Sequence, residues 1–144
     1  MNSHARSYLP YLVIGAVITG LLPGLTPSLR AQHLKVEITL PETGTEVGAT
    51  HLVSGTVTST DLRPHILIHP MSTDLWWVQR RPEAPNRDGS WSTLCYFGTE
   101  TQGVGDYYQI VAIISSEPMR EGQTFRELPD GLARSDLVTV RRTN

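Results

Sequence analysis

From residue 34 onward, apolar and polar positions alternate over short runs. In the first, Leu34, Val36, Ile38 and Leu40 are interleaved with Lys35, Glu37 and Thr39. A period of two predicts a strand with one face buried. Pro41 ends the run, since proline has no N–H to give to a ladder. Further runs follow at 51–58, 63–69, 75–79, 90–98, 106–115 and 136–142. Gly55, inside the second, predicts a bulge or a close backbone approach. Asp88-Gly89 is a turn signal between the fourth and fifth. Residues 115–135 lack strand character and are too long for a tight turn. A helical turn is expected there near Gln123–Leu128. About seven short strands with no long amphipathic helix predict an antiparallel sandwich.

The N-terminus has a different pattern. Arg6 precedes an apolar run from Tyr11 to Leu22, which Pro23 and Gly24 break. The run falls short of the roughly 20 apolar residues that span a bilayer. It suits the core of a secretory signal peptide, with Ala31 before the cleaved bond. Leu29 is bulkier than the small residue preferred at that site. An uncleaved signal anchor is the alternative. Either way, residues 1–31 are a separate segment, and the domain of residues 32–144 is expected to be exported: periplasmic, secreted or on the cell surface. Contact with a membrane is expected only through an uncleaved N-terminal segment.

Charge narrows the partners. The 12 basic residues, less Arg6 and Arg30, leave 10 against 14 acidic ones, a net charge of −4 for the exported part. No basic excess supports nucleic-acid binding. The doublets Arg80-Arg81 and Arg141-Arg142 read as solvated strand ends. Cys95 is the single cysteine, so no intrachain disulfide can form. Its place in the alternating run of Trp91, Thr93 and Phe97 reads as a small buried hydrophobe.

The stretch "VEITLPETGTEVGATHLVSGTV" resembles the opening of bacterial immunoglobulin-like domains, through Pro41, Gly44, Val47, Val53, Gly55 and Val57. "DGSW" and "GDYYQIVAI" are similar to later strands of such domains. Asp106-Tyr107-Tyr108, followed by Ile110 and Ala112, resembles the start of their F strand. The resemblance implies that the Tyr108 hydroxyl closes a corner before that strand. It also implies an all-β, antiparallel immunoglobulin-like Greek-key sandwich of about seven strands, preceded by the signal or anchor helix. The inter-sheet disulfide of antibody domains is missing. Such folds host many functions, so the fold alone decides none.

Few residues invite chemistry. His65 and His69 bracket "ILI" between two prolines, in a strand context. In a strand they share a face about 13 Å apart, at about 3.3 Å per residue. One metal ion with ligands at ~2.1 Å cannot bridge that distance. The acids Glu42, Glu46, Asp61, Asp74, Asp88 and Asp106 are scattered singly, and no nucleophile or phosphate-loop motif occurs. No catalytic residue, metal or cofactor is expected.

The tryptophans lead further. In "LWWVQ", alternation places Trp76 with Val78 on one face and Leu75, Trp77 and Gln79 on the other. Trp76 is expected inward. Trp77, with Gln79, Arg80 and Arg81, is expected to form an outward ligand-binding surface. The plainer alternative has Trp77 lying over its own sheet edge, under an arginine. The expected function is a noncatalytic extracytoplasmic binding or adhesion module for a glycan or envelope protein. The alternatives are a structural envelope or surface scaffold, and a small secreted hydrolase using Glu117, Glu121, Glu127 or Asp130.

Overall fold

In a computed structural model that describes residues 33–144, the alternating runs become strands. The expected signal or anchor segment lies outside the described residues. The strands are β1 (Val36–Leu40), β2 (Glu46–Val47), β3 (Thr50–Val57), β4 (His65–Pro70) and β5 (Trp76–Val78). There follow β6 (Ser90–Tyr96), β7 (Tyr107–Ile114), β8 (Thr124–Phe125), β9 (Ala133–Arg134) and β10 (Val138–Arg142). The seven predicted strands are all present. The short strands β2, β8 and β9 were not foreseen.

Two sheets form. One is three-stranded, in the order β1-β3-β6, and the other runs β2-β10-β7-β4-β5-β8 with β9 beside β7. Neighbours are antiparallel except β2 and β10, which are parallel. Between the sheets lie Val53, Ile66, Ile68, Trp91, Cys95, Phe97 and Ile110, among others. Trp91 and Cys95 are core residues, as their alternation predicts.

A second apolar layer covers the outer face of the large sheet. Leu67, Trp76, Val78, Val111 and Ile113 pack there against Met119, Phe125 and Leu128. This explains why "ILI" in β4 and "IVAII" in β7 are continuous apolar runs. Strands buried on both faces have no polar face to alternate with.

The cover is the segment 115–135, and here an expectation is corrected. No helix occurs among the described residues. Thr124–Phe125 instead pairs with Trp76–Trp77 as the edge strand. Gly122, at φ +80°, turns the chain just before it, a conformation a right-handed helix cannot contain. The cross-strand contact of Phe125 with Trp76 then outweighs the local helical tendency.

Gly55 proves to be a close approach. A Cβ there would lie 1.9 Å from the Glu37 carbonyl oxygen and 2.5 Å from the Trp91 ring. The bulge falls across from it in β1, between Ile38 and Leu40.

Arg142 corrects the reading of its doublet as solvated. It is buried, and its guanidinium donates to the carbonyls of Phe97 and Thr99, the latter at 2.8 Å. It thereby holds the turn between β6 and β7. Tyr108 is buried against the same turn, edge-on to Phe97 at 5.5 Å between ring centroids. Its hydroxyl is directed at Gly103, where a Cβ would lie 2.1 Å away. Among the described residues no hydrogen bond from that hydroxyl closes the corner, so packing is what holds it.

Candidate functional site

Beyond Val78 the chain leaves the large sheet and runs along the outer edge of β6. Three hydrogen bonds fix the course of this strip, residues 79–86. Gln79 Oε1 accepts the Tyr96 N–H at 2.9 Å, and Thr93 Oγ1 donates to the Arg80 carbonyl at 2.9 Å. At the far end the Asn86 N–H donates to the Ser90 carbonyl at 2.9 Å. Pro82 and Pro85 lie between and have no N–H to offer. The strip thus covers the β6 edge in part, at Ser90, Thr93 and Tyr96.

The expected surface is only partly assembled. Trp76 is 8% exposed and Trp77 41% exposed, as alternation predicts. The sides, however, are reversed. Trp77 pairs with Ile68 and Val78 with Leu67. Antiparallel partners share a face. Trp77 therefore lies on the inter-sheet side of β5, at the open flank of the sandwich. Trp76 faces the outer layer, stacked on His69 at 4.8 Å.

Gln79 is not beside Trp77 on an open surface. It is buried, its amide bridging the Trp77 carbonyl at 3.3 Å and the Tyr96 N–H. The unpaired edge of β6 claims its side chain, an attraction that alternation cannot register. Arg81 is half-buried and donates to the Arg63 carbonyl at 3.0 Å, while Arg63 Nε donates to the Pro82 carbonyl at 2.8 Å. Burial, and secondarily Arg63, lowers the Arg81 pKa from its ordinary value. Arg80 is exposed, but it lines a groove with Leu52 and Leu94 that does not include Trp77.

Exposed apolar residues supply the rest. Leu52 is 54% exposed and Leu94 45% exposed, and the two are direct cross-strand partners on the outer face of the small sheet. Tyr96 and Leu40 extend this patch. A groove runs beside it, lined by Leu52, Arg80, Arg81, Pro82, Glu83, Ser92, Thr93 and Leu94. The sequence carried a signal for it. In β6 the inward residues are Trp91, Thr93 and Cys95, so Leu94 and Tyr96 are apolar residues at outward positions.

The groove also meets main-chain groups. Phe97 donates its N–H toward β3, to Ala49, at 2.8 Å, whereas the Tyr96 N–H points away, to Gln79. Main-chain groups alternate along a strand. Ser92 and Leu94, in step with Tyr96, therefore direct their N–H and C=O toward the strip. No hydrogen bond among the described residues uses them.

Nearby titratable groups are buried or held by hydrogen bonds. His65 is buried with neither ring nitrogen partnered among the described residues. Burial first, then Arg81 and Arg63, depresses its pKa to about 4, so it is neutral at pH 7. His69 is held by Gln109 at 3.1 Å and the Thr73 carbonyl at 2.7 Å. Burial pushes the Cys95 thiol up to about 12, which removes its thiolate. Among the described residues no three His, Cys, Asp or Glu side chains gather as a metal site.

Two facing sheets, one with its outer layer covered by the chain itself, define an all-β sandwich. No family model matches the chain, and no curated protein matches it.

Proposed function

We propose that the chain is a noncatalytic, exported binding or adhesion module on an immunoglobulin-like sandwich. The strand order supports the fold. β1, β3 and β6 face β4, β7 and β10, and β2 crosses to pair in parallel with β10. Immunoglobulin-like sandwiches divide their strands between two sheets in this manner. The apolar run at Tyr11–Leu22 supports export, and the partner is a glycan or a protein of the envelope.

One observation carries the binding reading. The Leu52–Leu94 pair stands exposed on the small sheet, beside a groove rimmed by Arg80. The corresponding face of the large sheet is covered by the chain's own segment 115–135. Contiguous exposed apolar surface of this kind marks interaction sites. Trp77 lies at the same flank, because one Gln79 amide bridges its main chain to that of Tyr96.

The test is retention of the full chain on a glycan panel and on immobilised envelope extract. Wild type is expected to be retained, and Leu94→Asp and Trp77→Ala to lose retention at unchanged melting temperature. Equal retention of all three proteins, or none for wild type, refutes the reading.

A further inference from the structure

We infer that the groove between β6 and the strip 79–86 receives an extended, acidic-apolar peptide segment as a guest strand. This rests on the binding-module reading and names its partner class. The first ground is the main chain. Ser92 and Leu94 direct N–H and C=O groups into the groove, two residues apart. A repeat of about 6.6 Å, twice the rise per residue of a strand, matches the main chain of another extended segment. The strip cannot fill this role itself. It is tied to β6 at Tyr96, at Ser90 and, through the Thr93 side chain, at Arg80, none of which uses the main-chain groups of Ser92 or Leu94, and Pro82 and Pro85 lack an N–H.

The second ground is the side chains. Leu52 and Leu94 form an exposed apolar step beside the free main-chain groups. Alternate side chains of a guest strand would fall on it. Arg80 is exposed and has no carboxylate within ion-pair distance among the described residues, where Lys35–Glu37 is the one ion pair. An acidic guest residue complements it. Glu83, also on the groove, places the guest's acid at the Arg80 end.

The third ground is size. Three strands at about 4.8 Å spacing and about 20 Å long present a face of roughly 14 by 20 Å. That is well below the ~800 Å² per partner of a standard protein interface. A stable dimer of this chain needs more. An extended segment of about six residues fits the length at about 3.3 Å per residue.

Random-peptide display on the full chain tests this. Enriched peptides are expected to alternate apolar with Asp or Glu residues. A selected peptide, synthesised, is expected to shift the amide resonances of Ser92 and Leu94. It is expected to bind Leu94→Asp and Arg80→Glu at least about tenfold more weakly, a loss of about 1.4 kcal/mol. Methylating alternate main-chain nitrogens of the peptide is expected to abolish binding, as it removes donors and leaves side chains intact. Both protein variants are checked for unchanged melting, with Leu52→Asp as a second substitution at the apolar step. Selected peptides that bind all variants equally, or that tolerate methylation, overturn the proposal. If no peptide is enriched while a glycan is retained through Trp77, the peptide proposal falls and the binding-module reading stands. If neither is retained, both fall.

Discussion

Truncating Trp76 to alanine tests the packing of the outer layer. The indole is 8% exposed, stacked on His69 at 4.8 Å and paired across strands with Phe125. A buried tryptophan covers on the order of 200 Å², which at about 25 cal/mol per Å² is about 5 kcal/mol of transfer free energy. Core truncations of this kind cost about 3–5 kcal/mol. Trp76 lies beneath the segment 115–135 rather than between the sheets, and β8 is tied to the sheet by only a two-residue strand. The cover can settle into the void, which favours the lower end, about 3 kcal/mol. At about 4 °C per kcal/mol, the melting temperature is expected to fall by about 12 °C. Hydrogen exchange distinguishes this from damage to the sandwich. Amides of 115–135 are expected to lose protection first, while those of β3 and β6 keep theirs until global unfolding. Trp77→Ala is expected to change stability by less than about 1 kcal/mol. An unchanged melting temperature for Trp76→Ala refutes the reasoning, as does early loss of protection in β3.

Four further outcomes follow from the same geometry. Gly103→Ala is expected to cost about 1–3 kcal/mol in chemical denaturation, because φ is +89° and the new Cβ meets the Tyr108 hydroxyl; Tyr108→Phe, which loses no corner hydrogen bond, is expected to cost under about 1 kcal/mol. Arg142→Leu is expected to destabilise by about 3 kcal/mol and to mobilise residues 97–102 in hydrogen exchange, since its guanidinium holds the Phe97 and Thr99 carbonyls; an unchanged turn contradicts this. His65 has a folded pKa of about 4 against an ordinary 6.5, so the unfolded chain binds the extra proton between those values. Wild-type stability is therefore fully retained above pH 6.5 and falls by up to about 3 kcal/mol as the pH drops toward 4; thermal melts are expected to show the wild-type melting temperature falling relative to that of His65→Gln across that range, and a constant difference refutes this.

The strands were legible because their signal is local. Period-two runs, Pro41, and Asp88-Gly89 each act over a few residues. What the sequence could not reveal depends on a partner elsewhere in the chain. Alternation separated Trp76 from Trp77 correctly, but which face of β5 meets the other sheet depends on the Leu67–Val78 pairing. The helical turn at Gln123–Leu128 failed because a strand edge was waiting for Phe125. Gln79 and Arg142 read as surface residues because polar side chains usually are. Each is buried because it satisfies main-chain groups of β6 or of the turn after it, and no periodicity records those vacancies. Of the expected binding surface, Trp77 and Arg80 remain exposed. The Leu52–Leu94 step was visible in principle, as apolar residues out of phase in β6, once the inward phase was fixed by Trp91 and Cys95.

The two faces of this sandwich therefore differ in what completes them. On the large sheet, apolar residues on the outer face are matched by Met119, Phe125 and Leu128 from the same chain, so their burial adds to folding. On the small sheet, Leu40, Leu52, Leu94 and Tyr96 are left in water, where they add nothing to folding by burial. Nothing in the folded state requires leucine at 52 or 94, since the inward positions Val53, Thr93 and Cys95 already supply the core contacts. The strip that guards β6 makes the same division. It bonds to β6 at Ser90, Thr93 and Tyr96, while the main-chain groups of Ser92 and Leu94 between those points have no partner among the described residues. The residues that hold the fold and the exposed apolar residues beside Ser92 and Leu94 are therefore different sets, and substitutions at Leu52 or Leu94 are expected to leave the melting temperature unchanged.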